Sequence, residues 1–256
     1  MINNLEEYKK AVELGQITKK VKWYYQYTNL ELDDFAKEIK LVEILFKELF
    51  NLPIYLVYGT LLGAIRDKNF IMHDYDVDLA YLSQKTELSD IIEEYKSIIK
   101  TLTQYRRYKL NFYQKKFRKG QIKTWVNNSS YGEHLDVWVS YIKDNKYYCA
   151  ALNRALTNED NLSVDLILPL KTIKFRKEKL LIPQNSEKLL NYVFPNWQIP
   201  YYDGQGKSTN IKEKTLFQIP HQEMESYLKQ FPIYPSITIR NLINHINQLY
   251  QKNYAS

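Results

Sequence analysis

The feature that most restricts this chain is acid placed inside apolar runs. Tyr75-Asp76-Val77-Asp78-Leu79 and Leu135-Asp136-Val137-Trp138-Val139 both read as strands, yet each carries carboxylate. Successive strand residues face opposite ways, so Asp76 and Asp78 fall on one face and Val77 and Leu79 on the other. Two carboxylates that close repel and raise each other's pKa unless a cation sits between them. A third, Asp136, is costly to bury alone in an otherwise apolar strand. Lys, Arg or backbone N–H groups would satisfy the Asp76–Asp78 pair equally well. The three acids together favour one shared divalent metal. Hard carboxylate oxygens select Mg²⁺ or Mn²⁺, which keep waters and complete their shell with substrate phosphate.

The neighbouring residues fit phosphoryl chemistry. Ile54 to Tyr58 reads as a short buried strand, and Gly59-Thr60 as a turn into a short helix through Arg66. Gly59 lets backbone approach a phosphate closely, and Thr60 offers a hydroxyl. Arg66 suits a charge-assisted pair with donor phosphate, or a salt bridge to one of the nearby aspartates. Asp74 is a candidate further ligand, a general base for an acceptor hydroxyl, or a turn cap. His134 lies two residues before Asp136 on the same expected face, either as a donor behind the site or as a structural histidine. His221 and His245 have no acidic partner at ligand spacing. P-loop, Rossmann glycine and serine-elbow signatures are absent.

Around this centre the periodicity predicts a helix from Leu30 to Phe50 closed by Pro53, a strand from Tyr75 to Tyr81 and a helix from Glu87 to Leu102. Strands are expected at Tyr108–Tyr113, Ile122–Val126 and His134–Ile142. The last turns through Lys143–Lys146 into Tyr147–Leu152. Further β-like pieces fall at Leu166–Leu170 and Ile173–Phe175. Ser186 is placed to cap a helix Glu187–Tyr192, Phe194 to Pro220 reads as irregular, and a last helix spans Ser236–Gln251. With no repeat and no Gly-, Ser- or Pro-rich linker, all 256 residues are expected to form one domain: a core over about 30–200 and a C-terminal extension over about 201–256.

The lone Cys149 forbids an intrachain disulfide and a Cys-cluster zinc site, and its apolar neighbours mark it as a buried small hydrophobe. The 23 Tyr are expected to line half-buried surfaces or a polar-ligand groove. A polar start and no long apolar run lead us to expect a cytoplasmic protein. The net charge of +7 is concentrated: from Tyr95 to Gly132 there is no Asp or Glu. Lys96, Lys100, Arg106, Arg107, Lys109, Lys115, Lys116, Arg118, Lys119 and Lys123 fall in that stretch. Interleaved aromatics between Tyr105 and Trp125 would suit nucleic-acid bases, an anionic glycan or a membrane surface. Its place between the two acidic blocks favours substrate or peripheral membrane contact at 96–123 over a separate nucleic-acid role.

The run Gly59-Thr60-Leu61-Leu62-Gly63-Ala64-Ile65-Arg66, then Asp74-Tyr75-Asp76-Val77-Asp78-Leu79, resembles the signature of the LicD/fukutin family. Leu135-Asp136-Val137-Trp138 resembles its downstream aspartate motif. Leu168-Pro169-Leu170-Lys171, Ile182-Pro183 and Leu189-Leu190 are similar to its C-terminal portion. The resemblance implies an α+β fold with a nucleotidyltransferase-like core, a mixed β-sheet flanked by helices, and helical additions at both ends. It implies metal ligation by Asp76, Asp78 and Asp136, with Asp74 beside them and Gly59, Thr60 and Arg66 at the donor. The implied reaction moves a phosphorylated alcohol (phosphocholine, ribitol phosphate or glycerol phosphate) from a CDP-linked donor to a glycan or lipid-linked glycan hydroxyl. Some animal relatives add a cysteine-ligated zinc that one Cys cannot supply. Where many bacterial members carry Trp, this chain has His73. Two other readings keep their place: transfer of a nucleoside monophosphate to a small molecule, and a basic nucleic-acid-binding protein with a decayed site.

Overall fold

The computed structural model describes residues 2–17, 22–104, 120–124, 135–150, 162–194, 196–202, 219, 222 and 236–254. A helix α1, Leu5–Glu13, opens the chain, in line with the helical addition expected at this end. Helix α2, Asn29–Phe50, begins at a capping box. Thr28 Oγ1 accepts the Glu31 N–H at 3.3 Å and Glu31 accepts the Thr28 N–H at 2.7 Å. The helix ends at Asn51, whose φ of 55° turns the chain left-handed two residues before Pro53. Leu32, Phe35, Ile39, Val42, Leu45 and Phe46 form its buried stripe, as the spacing requires.

Strand β1, Ile54–Leu56, is shorter than expected. Tyr58 takes φ 49° and starts helix α3, Tyr58–Leu62, which continues as a π-helical turn, Gly63–Asp67. Gly63 is needed there because a Cβ would stand 2.6 Å from the Asn69 carbonyl. Strand β2, Val77–Leu82, starts two residues later than expected, which leaves Tyr75 and Asp76 in the preceding loop. Helix α4, Leu88–Gln104, buries Ile91, Tyr95, Ile98, Ile99 and Leu102.

Strands β3, Gln121–Thr124, β4, Leu135–Lys143, and β5, Lys146–Cys149, complete a mixed sheet. Its order is β1-β2-β4-β3, with β5 also on β4; among the described strands β2 and β4 pair in parallel and the other neighbours antiparallel. Asp144 and Asn145 at φ 49° and 57° make the two-residue hairpin turn that matches strand twist. One face of the sheet carries Val77, Leu79, Tyr81, Val137 and Val139. Helix α2 covers it, with the Phe46 and Tyr81 rings 5.9 Å apart. The other face carries Asp78, Asp136, Trp138 and Ser140.

The β-like piece expected at Leu166–Leu170 is instead a 3₁₀ turn, Val164–Leu166, followed by Pro169, which has no N–H for a ladder. Strand β6, Lys171–Phe175, pairs with an unexpected β7, Glu178–Ile182, in a two-stranded hairpin. Helix α5 runs Ser186–Val193, but Ser186 does not cap it: its hydroxyl donates to the Pro183 carbonyl at 2.6 Å. Helix α6, Ser236–Tyr254, packs against α2, with Lys37 Nζ 4.9 Å from the Tyr250 ring centre.

Many tyrosines lie deeper than expected. Ser140 donates to the Tyr81 carbonyl at 2.6 Å, so Tyr55 donates to Ser140 at 2.7 Å and Tyr147 to Tyr55 at 2.6 Å. The chain threads buried hydroxyls through the core without leaving them unsatisfied. Cys149 is fully buried, as its neighbours indicated. The expected strand Tyr108–Tyr113, His134, His221 and the cations at 106–119 lie outside the described residues. No described helix is long and apolar enough to cross a membrane.

Candidate active site

Parallel pairing of β2 with β4 sets Asp78 directly opposite Asp136. Registered neighbours in a sheet put their side chains on the same face, so two carboxylates 58 positions apart become adjacent. Asp78 is fixed from several sides. Its N–H donates to Thr60 Oγ1 at 2.8 Å, its carbonyl accepts the Val57 N–H at 3.2 Å, and its Oδ1 accepts Trp138 Nε1–H at 2.9 Å. The buried Thr60 hydroxyl thus holds the start of β2. Asp136 is 2% exposed and accepts a short hydrogen bond from Gln121 Nε2 on β3.

Asp74 and Asp76 sit in the loop that feeds β2. The Asp74 N–H donates to the Ile71 carbonyl at 2.8 Å, and its Oδ1 accepts the Tyr75 N–H at 2.8 Å. Gly59 faces this carboxylate closely: a Cβ there would lie 3.0 Å from Asp74 Oδ2 and 4.0 Å from Asp78 Oδ2. The end of β1, the acid loop and the first turn of β2 therefore meet at one point.

The electrostatics bear the mark of crowding. Burial, then the charges of Asp76 and Asp136, hold the Asp78 carboxyl well above its ordinary range, against the Trp138 hydrogen bond. Burial and the charges of Asp76, Asp74, Asp136 and Asp78 push the Tyr75 phenol up to about 12. All four acids therefore act on one neighbourhood. Yet among the described residues no three His, Cys, Asp or Glu groups stand close enough to hold a metal ion as they are. The donor set fits a hard divalent cation in kind, being all carboxylate oxygen and self-repelling. As they stand, its side chains do not form a ligand shell.

Arg66 lies outside this cluster. Its Nε and an Nη bind both oxygens of Asp67 at 2.7 and 2.8 Å, and its other Nη donates to the Trp197 carbonyl at 3.3 Å. To reach a phosphate it would have to leave Asp67. His73 packs between Tyr8 and Tyr202, with ring centres 5.4 and 4.5 Å away, and lines a cavity of about 180 Å³ with Arg66, Asp67, Asn69 and Tyr202. Lys96 is buried against Glu93 at 2.7 Å, so it adds nothing to a basic face.

Trp138 and Gln121 both touch the acids and were not singled out from sequence. Trp138 stands two positions from Asp136, the spacing that shares a strand face, so that signal was present. Gln121 reaches Asp136 only through the β3–β4 register, which nothing local encodes. A family model described as LicD/FKTN/FKRP, nucleotidyltransferase domain, matches residues 51–185, just over half of the chain. No curated protein matches it. The matched span contains every carboxylate of the cluster.

Proposed function

Because the chain belongs to the LicD/FKTN/FKRP family and carries its nucleotidyltransferase-type transferase domain, we propose that it is a metal-dependent phosphotransferase. It moves a phosphorylated alcohol from a CDP-linked donor to a hydroxyl of a cell-surface glycan or lipid-linked glycan. The observation that carries this reading is the registered Asp78–Asp136 pair, with Asp76 beside it, at the centre of the matched domain.

Asp76, Asp78 and Asp136 would hold Mg²⁺ or Mn²⁺, which supplies charge neutralisation and orientation for the diphosphate. Gly59, with no side chain, leaves room for the diphosphate beside Asp74 and Asp78. Thr60 and Trp138 keep Asp78 in place through its N–H and Oδ1. Asp74 accepts the proton of the acceptor hydroxyl. That oxygen forms a bond to the phosphorus bearing the alcohol, the bond from this phosphorus to the CMP oxygen breaks, and CMP leaves with the electron pair. The basic stretch reaching Lys123 meets the anionic acceptor or the membrane surface that presents it.

The same acids would serve transfer of a nucleoside monophosphate, and the matched domain's description favours keeping that second reading. Incubating the protein and Mg²⁺ with a panel of CDP-alcohols and NTPs separates the two. Release of CMP is expected; pyrophosphate release would replace the first reading with the second. Neither product, with Mn²⁺ failing to bind, would remove the enzyme reading altogether.

A further inference from the structure

The segment just before α2 lies outside the family-matched residues, yet it is built into the acid loop. The Tyr24 N–H donates to the Asp74 carbonyl at 2.9 Å, and the Tyr25 N–H to the Met72 carbonyl at 2.9 Å. The Tyr24 ring stacks on Phe70 at 4.6 Å and meets Phe35 edge-on at 5.6 Å, so its position is fixed. Tyr24 is 1% exposed, and its hydroxyl has no hydrogen-bond partner among the described residues. Tyr55, Tyr95 and Tyr250 spend their hydroxyls, whereas Tyr81, on the opposite sheet face, does not. An unspent buried donor costs folding free energy, and packing alone gives no reason to keep it. Burial and the charges of Asp74, Asp76 and Asp78 all push this phenol well above its ordinary pKa, which places the hydroxyl within the carboxylates' field.

We propose that Tyr24 is a positioning residue of the active site, its hydroxyl a donor held ready for the acid loop as the carboxylates close around a divalent cation. Two observations meet here: the carboxylates crowd one neighbourhood without forming a three-ligand shell, and the tyrosine hydrogen-bonded through its N–H to the Asp74 carbonyl keeps an unspent hydroxyl. When Asp74 or Asp76 swings toward the cation, the fixed Tyr24 O–H supports one of its oxygens. The inference rests on the metal-binding reading above.

The test is Tyr24→Phe in the full chain, read by thermal midpoint without metal and by Mn²⁺ affinity from the electron paramagnetic resonance of free Mn²⁺. The expected result is an unchanged or raised midpoint and an affinity weakened about tenfold, the weight of one hydrogen bond to a charged group. Tyr81→Phe, which removes an unpartnered buried hydroxyl from the opposite sheet face, should bind Mn²⁺ as the wild type does. A lowered midpoint for Tyr24→Phe, unchanged Mn²⁺ affinity, or equal weakening in Tyr81→Phe would each overturn the role given to Tyr24 while leaving the metal reading standing. Wild-type protein that binds no Mn²⁺ would overturn both.

Discussion

At Asp78 the needs of folding and of chemistry oppose each other. A carboxyl held above its ordinary pKa binds its proton more tightly in the folded state than in the unfolded chain. The associated stability is full below about pH 4 and is lost as pH rises through the raised value. Asp78→Asn cannot ionise. In metal-free buffer its midpoint should therefore gain on the wild type as pH is raised from about 4 to 8, while Mn²⁺-dependent donor binding disappears. Retained turnover would remove Asp78 from the ligand set. Gly59→Ala should also fold but turn over about tenfold more slowly, since its Cβ would press on Asp74 Oδ2 at 3.0 Å. An unchanged rate would place the diphosphate elsewhere.

Among the elements, the β6–β7 hairpin has one side chain in its turn that fastens it to two other segments. Arg176, at φ 52° in its turn, binds Asp33 at 2.7 Å, Asn69 Oδ1 at 2.7 Å and the Asn29 carbonyl at 3.0 Å. It thereby fastens the hairpin to the start of α2 and to the loop that leads to Asp74. Arg176→Ala should cost about 2 kcal/mol in urea unfolding, because it loses several charge-assisted bonds and leaves the largely buried Asp33 only its Lys177 partner at 2.9 Å. Burial pushes Asp33 upward, but hydrogen bonds from Lys177 and Arg176 hold it below the usual carboxylate range. Its stabilising contribution is present above about pH 4 and lost as pH falls through the depressed value. The wild type should therefore lose more stability than Arg176→Ala on acidification; equal losses would mean the pair adds nothing.

What the sequence disclosed divides along the same line. Helices α2 and α4 repeat their apolar residues often enough to be read directly, and the acids in Asp76-Val77-Asp78 and Leu135-Asp136-Val137 announced themselves by being out of place. Strand β7 was missed because Glu178-Lys179-Leu180-Leu181-Ile182 alternates weakly, and its status comes from pairing with β6. Gln121 and Tyr24 were invisible for a stronger reason. Each acquires its meaning only when a distant segment arrives beside it.

For the molecule as a whole, a cation that binds the folded protein alone must stabilise it by mass action. At a hundredfold excess of Mn²⁺ over its Kd this is about 2.7 kcal/mol. For a chain of this size that is a rise of about 5–10 °C in thermal midpoint. Asp78→Asn should show no such rise, and Mn²⁺ that leaves the wild-type midpoint unmoved would count against a metal centre.

The β2–β4 register has one further consequence. Slide either strand past its neighbour by a single position and an acid swings round into the oil under α2, so the sheet cannot be misaligned without burying charge. A slip would therefore break the fold and the site together. A mutant library sorted only for protein that stays in solution would keep this register, yet it would still carry side-chain losses such as Asp78→Asn.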